Sequence, residues 1–310
     1  MPIIRKLYRS GYLHICQKSA DNGIIFYTLE DLLVFFTLLC ISANIHGVII
    51  LAIALMLNHF HIGAIFRDGE SASSFMNGVT SVYARLYNRH HGLEGKLFKK
   101  PFKSSPKLSE KKIKDSLFYI WNNPVEKSAV STAEEYRWVF LKYLDNDNPF
   151  SGPFVTSELS DDILKLMQKV KANHDAGKYL DYSFFDKNFK ALKKDERMLL
   201  IDYIIVTYSV IKRDELLMKF GDYKSLILAV NSVAGNEYNL TDDVDNEDYR
   251  HYGKMISIIR DEGLDLDTVC FDRKDRGTPR DVNQLLRLRK RFKTEVGASD
   301  YEIDKFLHLL

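Results

Sequence analysis

Two periods of hydrophobic residues run along the first 125 positions, and the change from one to the other separates strands from helices. Tyr12 to Gln17 reads as a strand, followed by a polar loop from Lys18 to Gly23. Thr28 to Asn44 is predicted as a helix, because Thr28 supplies a capping hydroxyl and Glu30 and Asp31 place acids in the first turn. Val48 to Leu57 is almost wholly aliphatic, the pattern of a buried central strand, and His59 to Phe66 is a third strand. Ser71 to Arg89 returns to helical spacing through Phe75, Val79, Val82 and Leu86. Gly92 and Gly95 bracket a turn, and Lys96 to Lys103 is predicted as a short ribbon. Ser109 to Asn123 is a helix with Ile113, Leu117 and Ile120 on its core side. Pro124 is expected to end it, since the residue before a proline is pushed out of helical geometry. The order strand, helix, strand, strand, helix predicts an α+β fold, a ferredoxin-like antiparallel sheet with helices on one face.

Asp145 to Pro153 is polar and rich in turn formers, and divides the chain into residues 1–145 and 154–310. The second part has helical patterns over Asp161 to Val170, Asp195 to Phe220, Tyr223 to Ala234, Asp248 to Asp261, Asp281 to Lys293 and Ser299 to Leu309, an all-α region. Ser299 and Glu302 have the spacing of a capping box. The last two helices, joined across Gly297, suit a helix-turn-helix on duplex DNA or, equally, a packing module with a solvated basic face.

Leu32 to Leu57 is apolar and long enough to suggest a membrane span, but Asn44, His46 and Gly47 interrupt it. A helix followed by a strand is the better reading, and no membrane partner is expected. Met1 to Leu13 is basic and lacks the apolar centre of a secretion signal. Cys16, Cys40 and Cys270 are odd in number and widely spaced, which argues against a disulfide framework and points to a reducing, cytoplasmic setting.

The net charge of +2 hides strong segregation. Arg85 to Lys114 holds ten Lys or Arg against Glu94 and Glu110, and Asp272 to Lys293 holds nine against three aspartates, whereas Asp242 to Asp248 is acidic. Basic blocks of this kind suit a polyanionic partner.

Three groups of residues bear chemistry. His59 and His61 lie two apart on a strand and so share a face, with Gly63 next on that face leaving room for an ion. A bare pair of this kind is more often surface or core histidine than ligand. Tyr119 and Asn123 lie four apart on a helix and share a stripe. A phenol and an amide oxygen there can meet an ion held on a neighbouring sheet, although in a chain with 17 tyrosines a packing role is the default. Between these lie Arg85, Arg89, Lys96, Lys99, Lys100 and Lys103, interleaved with Phe98 and Phe102. Cations among aromatics suit single-stranded nucleic acid, and a solvated lysine-rich surface is the plainer alternative.

Taken together, residues 11–140 resemble the single-tyrosine HUH transposases, in particular the REP-associated tyrosine transposases of bacteria. The resemblance is carried by Leu55-Met56-Leu57-Asn58-His59-Phe60-His61, by Tyr83 to Phe102, and by Tyr119-Ile120-Trp121-Asn122-Asn123-Pro124-Val125 followed by Glu135-Tyr136-Arg137-Trp138. Leu57 stands where that family usually has proline. The resemblance implies an HUH nuclease fold. It also implies a metal-dependent endonuclease and strand transferase that cuts single-stranded DNA at hairpins through a 5′-phosphotyrosine. Tyr119 would be the nucleophile. His59, His61 and Asn123 would hold Mg²⁺ or Mn²⁺, with Asn122 close in angle to Asn123. Both imidazoles must be neutral to bind an ion, so activity should fall at acid pH. Relatives of this fold work as monomers or homodimers. The rivals are a non-catalytic hairpin-binding protein that keeps the fold, and a metal-dependent hydrolase of small phosphate esters in which Tyr119 is structural.

Overall fold

The computed structural model describes residues 10–20, 23–99, 101–153, 159–233, 246–271 and 280–309. Four strands form one antiparallel sheet: β1 (Gly11–Lys18), β2 (Ile49–Met56), β3 (His59–Phe66) and β4 (Lys103–Pro106), in the order β2-β3-β1-β4. The intervening helices are α1 (Leu29–His46) and α2 (Gly69–His91). This sequence of elements with this strand order is the ferredoxin-like arrangement, so the α+β expectation holds.

Side-chain parity along the strands sorts the sheet into two faces. Leu13, Ile15, Ile53, Leu55, Phe60, Ile62 and Ala64 pack with α1 and α2 in one apolar cluster. Tyr12, Ala52 and Ala54 point the other way and join a second cluster with Leu117, Ile120 and Trp121. Those last three lie on α3 (Glu110–Glu126). Helices on one face thus describes α1 and α2 only. The third helix covers the opposite face, because both faces of β2 are apolar and each needs a cover.

Three further departures have local causes. The ribbon expected from Lys96 begins as an isolated bridge between Ser19 and Phe98, and the fourth strand starts only at Lys103, where it pairs with Cys16. Pro124 does not end its helix. It is buried in the last turn, where the Lys127 N–H bonds to the Asn123 carbonyl at 3.1 Å and carries the helix to Glu126. The long helix expected from Asp195 to Phe220 is two, α6 (Lys194–Tyr208) and α7 (Arg213–Phe220); α4 (Asp161–Asp175) and α5 (Tyr182–Asn188) precede them. β2, expected at the centre of the sheet, is an edge strand buried by other cover: between α6 and α7 the chain runs along its free edge, where Ile211 bridges to Ile50 and the Lys212 N–H donates to the Ile50 carbonyl at 3.0 Å. That edge would otherwise present unpaired backbone groups.

The remaining helices are α8 (Tyr223–Ser232), α9 (Asn246–Asp261), α10 (Leu266–Cys270), α11 (Val282–Arg291) and α12 (Asp300–Phe306). The cluster formed with α1 and α2 also contains Leu180, Phe185, Ile204, Ile259, Phe271 and Phe306, so one apolar core runs from the sheet to the last helix. Asp31, fully buried, ties the parts together. One carboxylate oxygen caps α1 by accepting from the Tyr27 and Thr28 N–H groups. The other accepts from His91 at the end of α2 and from the Tyr182 hydroxyl on α5. Burial pushes this carboxyl up, but the His91 charge and these hydrogen bonds outweigh it and hold it below its usual range.

The segment read as a linker is held by a second buried carboxylate, Asp202 on α6, which accepts from the Phe150 and Ser151 N–H groups. On α11 and the turn after it, Arg287, Arg289, Arg291 and Lys293 each meet a carboxylate from Glu262, Glu295, Asp300 or Asp304. The acidic Asp242 to Asp248 stretch lies mostly outside the described residues, as do Asp272 to Thr278 and Met1 to Arg9.

Candidate active site

The face of the sheet under α3 gathers the residues singled out from the sequence. His59 and His61 project from β3 by strand parity. The β1–β3 register sets His14 opposite Gly63 and Cys16 opposite His61, which brings the His14 ring diagonally against His61. The His14 Nε2 to His61 Nδ1 distance is 2.9 Å and the two rings are 5.1 Å apart. Above them, Ser116, Tyr119, Ile120 and Asn123 form one stripe of α3. The Tyr119 ring lies 5.5 Å from His61, edge-on, and 5.6 Å from His14. His59 and His61 are 5.0 Å apart.

Asn123 Oδ1 approaches His59 Nε2 at 3.1 Å, whereas the Asn122 amide points away and donates to the Val230 carbonyl on α8. Of the two asparagines, Asn123 is the one at the histidines. The space over Gly63 is not left for an ion: a side chain there would run into the Tyr12 hydroxyl and Ile120. Tyr12 needs that space to reach Ser116, whose Oγ lies 3.1 Å from its hydroxyl. This bond fixes the height of α3 over the sheet.

Both ring nitrogens of His59 face an amide oxygen, Asn58 Oδ1 at 2.7 Å and Asn123 Oδ1 at 3.1 Å. A neutral imidazole has one N–H, so one of these oxygens meets a lone pair. Turning over either amide, a second proton on the ring, or a cation between oxygen and ring would each remove that conflict. In either orientation an amide atom is short of a partner, and as placed Asn123 Nδ2 is buried with none among the described residues. Neighbouring ligands of an octahedral Mg²⁺ are about 3.0 Å apart, which the Nε2 to Oδ1 separation matches. His14 occupies Nδ1 of His61, so Nε2 is the nitrogen that would hold an ion. Two imidazoles and an amide oxygen are donors of the kind a divalent cation accepts, with the His59–Asn123 pair at the spacing of neighbouring ligands. Among the described residues no cluster of three or more His, Cys, Asp or Glu is arranged to hold one.

The site is closed. His59, His61 and Asn123 are fully buried, and Tyr119 is 4% exposed. The basic residues are only partly gathered around it. Lys103 stands opposite Cys16, on the histidine face at the β1 edge, and the Lys99 backbone pairs with Lys18 on the same edge. Lys96 is exposed nearby, and Lys100 lies outside the described residues. Arg85 and Arg89 do not belong to this surface. They point to solvent from α2, whose inward stripe of Phe75, Val79, Tyr83 and Tyr87 faces the opposite side of the sheet. Sequence reasoning missed His14, Tyr12 and Ser116.

No family model matches the chain, and no curated protein matches it. Among solved structures, the chain is similar to a REP-associated tyrosine transposase bound to a REP hairpin. The two share 12% identity at a TM-score of 0.38, over 46% of this chain and 84% of that one.

Proposed function

We propose that this chain is a single-stranded DNA endonuclease and strand transferase that acts at hairpins, with Tyr119 as nucleophile. The observation that carries the reading is the packing of the Tyr119 phenol against His14 and His61, on the same buried face as His59 and Asn123. The motif resemblance over residues 11–140 points the same way.

In the proposed reaction the Tyr119 oxygen attacks a backbone phosphorus and the P–O3′ bond breaks. The phenol gives up its proton, and the leaving strand takes one as its 3′-hydroxyl. The 5′-phosphotyrosine keeps the phosphodiester energy, so another 3′-hydroxyl can reverse the step and join a new strand. His59, His61 and Asn123 would hold Mg²⁺ or Mn²⁺, which when bound supplies stabilisation for charge on the phosphoryl oxygens. His14 holds the His61 ring through Nδ1, and Asn58 does the same for His59. Tyr12 and Ser116 set the spacing between phenol and histidines. Lys99 and Lys103 line the edge along which a phosphate backbone would run. Since the site is closed, the incoming strand must displace part of its cover.

The test is a suicide oligonucleotide incubated with protein and Mg²⁺, Mn²⁺ or chelator. A covalent adduct is expected with metal, absent with chelator and absent in Tyr119→Phe. Tyr119→Phe keeps the ring packing, so its thermal midpoint should stay within about 2 °C of the parent, a stability change of about 1 kcal/mol. No adduct under any condition sinks the catalytic reading. Hairpin binding without cleavage is a second reading, favoured by the closure of the site, and predicts affinity without an adduct.

A further inference from the structure

A cavity of about 590 Å³ opens where the turn between β2 and β3, the end of α3 and helix α9 meet. Its walls include Leu57, Lys127, Tyr136, Trp138, Lys254 and Arg260. It adjoins the candidate active site at two points. Leu57 lies two residues before His59. Lys127 is one helical turn beyond Asn123 and donates its N–H to the Asn123 carbonyl.

The lining has a definite chemistry. Lys127, Lys254 and Arg260 are cations, and among the described residues none that lines the cavity is Asp or Glu. Phe26, Tyr27, Tyr136 and Trp138 supply aromatic surface. Lys254, Ser257 and Arg260 recur at three-residue spacing and form an exposed stripe on α9. The aromatic wall is held firmly. The Tyr136 hydroxyl donates to the Leu55 carbonyl at 3.0 Å, and Arg137, between Tyr136 and Trp138, is locked to Asp202. An inorganic anion would leave the aromatic wall unused, and an apolar ligand would leave the cations unused. A ring joined to a phosphate uses both, and the volume lies within the ordinary range of small-ligand sites, about 300–1,000 Å³.

We infer that this cavity is a subsite for one nucleotide of single-stranded DNA, with its base against Trp138 and Tyr136 and its phosphate beside Lys254 and Arg260. The inference rests on the reading of the chain as a single-strand DNA handler, but not on cleavage. Lys127 lies eight residues beyond Tyr119, about 12 Å along α3, so the nucleotide held here would be near the one at Tyr119 and not that one itself.

The test uses the full chain and a short single strand carrying 5-iododeoxyuridine. Photo-cross-links mapped by mass spectrometry should fall in the peptides holding Tyr136 and Trp138 or in those of α9; cross-links found only elsewhere overturn the inference. Lys254→Glu with Arg260→Glu should reduce the slope of log affinity against log salt by about 0.7, the value of one phosphate contact, and an unchanged slope counts against it. Gly253 on α9 has no heavy atom within 4 Å of the point where a Cβ would stand, so Gly253→Leu narrows the cavity without strain. Its affinity for the strand should drop about tenfold, the loss of one stacked base, with the thermal midpoint preserved. Cross-links in these peptides without any Tyr119 adduct would sink cleavage alone. An adduct without them would sink the subsite alone.

Discussion

Replacing Asp202 by alanine should cost more stability than any other single truncation of a polar side chain in the helical half. Asp202 is fully buried and accepts from Arg137 at 2.5 Å, the Tyr143 hydroxyl at 2.6 Å, the Ser151 N–H at 2.8 Å and hydroxyl at 2.9 Å, and the Phe150 N–H at 3.1 Å. Without the carboxylate, Arg137 remains as a cation that is 8% exposed, faced among the described residues by the Tyr143 hydroxyl, the Met198 sulfur and the Phe150 ring. Breaking a buried pair on one side costs about 3–5 kcal/mol. The two backbone N–H groups lie in a half-buried turn where water can reach them, so they add little. A loss of about 4 kcal/mol corresponds to a fall in midpoint of about 8 °C for a chain of this size. Urea unfolding and calorimetry would measure both. Converting both partners, Asp202→Leu with Arg137→Met, removes the uncompensated charge and should recover most of the loss. A cost below about 1 kcal/mol for Asp202→Ala, or a double variant as unstable as the single one, would refute the reasoning.

Gly63→Ala should destabilise by about 1–3 kcal/mol through the clash with the Tyr12 hydroxyl, read as a lower urea midpoint, and Tyr12→Phe in the same chain should return part of that loss. Burial, then the neighbouring His91 and Arg280, push the His308 imidazole down from 6.5 to about 4. The folded chain therefore holds fewer protons than the unfolded one between these values, so stability is complete above about pH 6.5 and declines as pH falls towards 4, by up to about 3 kcal/mol. Urea titrations at several pH values should show this slope, and His308→Phe should flatten it.

What could be read in advance was whatever depends on short spacings. Strand parity put His59 and His61 together, and helical spacing put Tyr119 with Asn123. Neither required knowledge of which strands pair. His14 could not be found in this way, because its contact with His61 exists only in the β1–β3 register that aligns Cys16 with His61. Gly63 looked like space for an ion because the demand of Tyr12 for that space comes from another strand. The break before α7 was hidden because its cause is the open edge of β2, far earlier in the chain. The basic segment looked continuous along the chain, but helix α2 turns Arg85 and Arg89 to one side of the sheet while β4 holds Lys103 on the other.

Helix α1 is 18 residues long, apolar enough to cross a bilayer, and buried on every side from Asp31 to Ala43. Its cover on one flank, α6, begins at Lys194, well over a hundred residues further along the chain. At ribosomal rates of about 5–20 residues per second, a growing chain leaves that flank bare for roughly 7–30 s. Throughout that interval the nascent protein carries an apolar helix with one flank open to other surfaces. Whatever holds it apart from bilayers and from its own siblings decides how much of this protein a cell obtains.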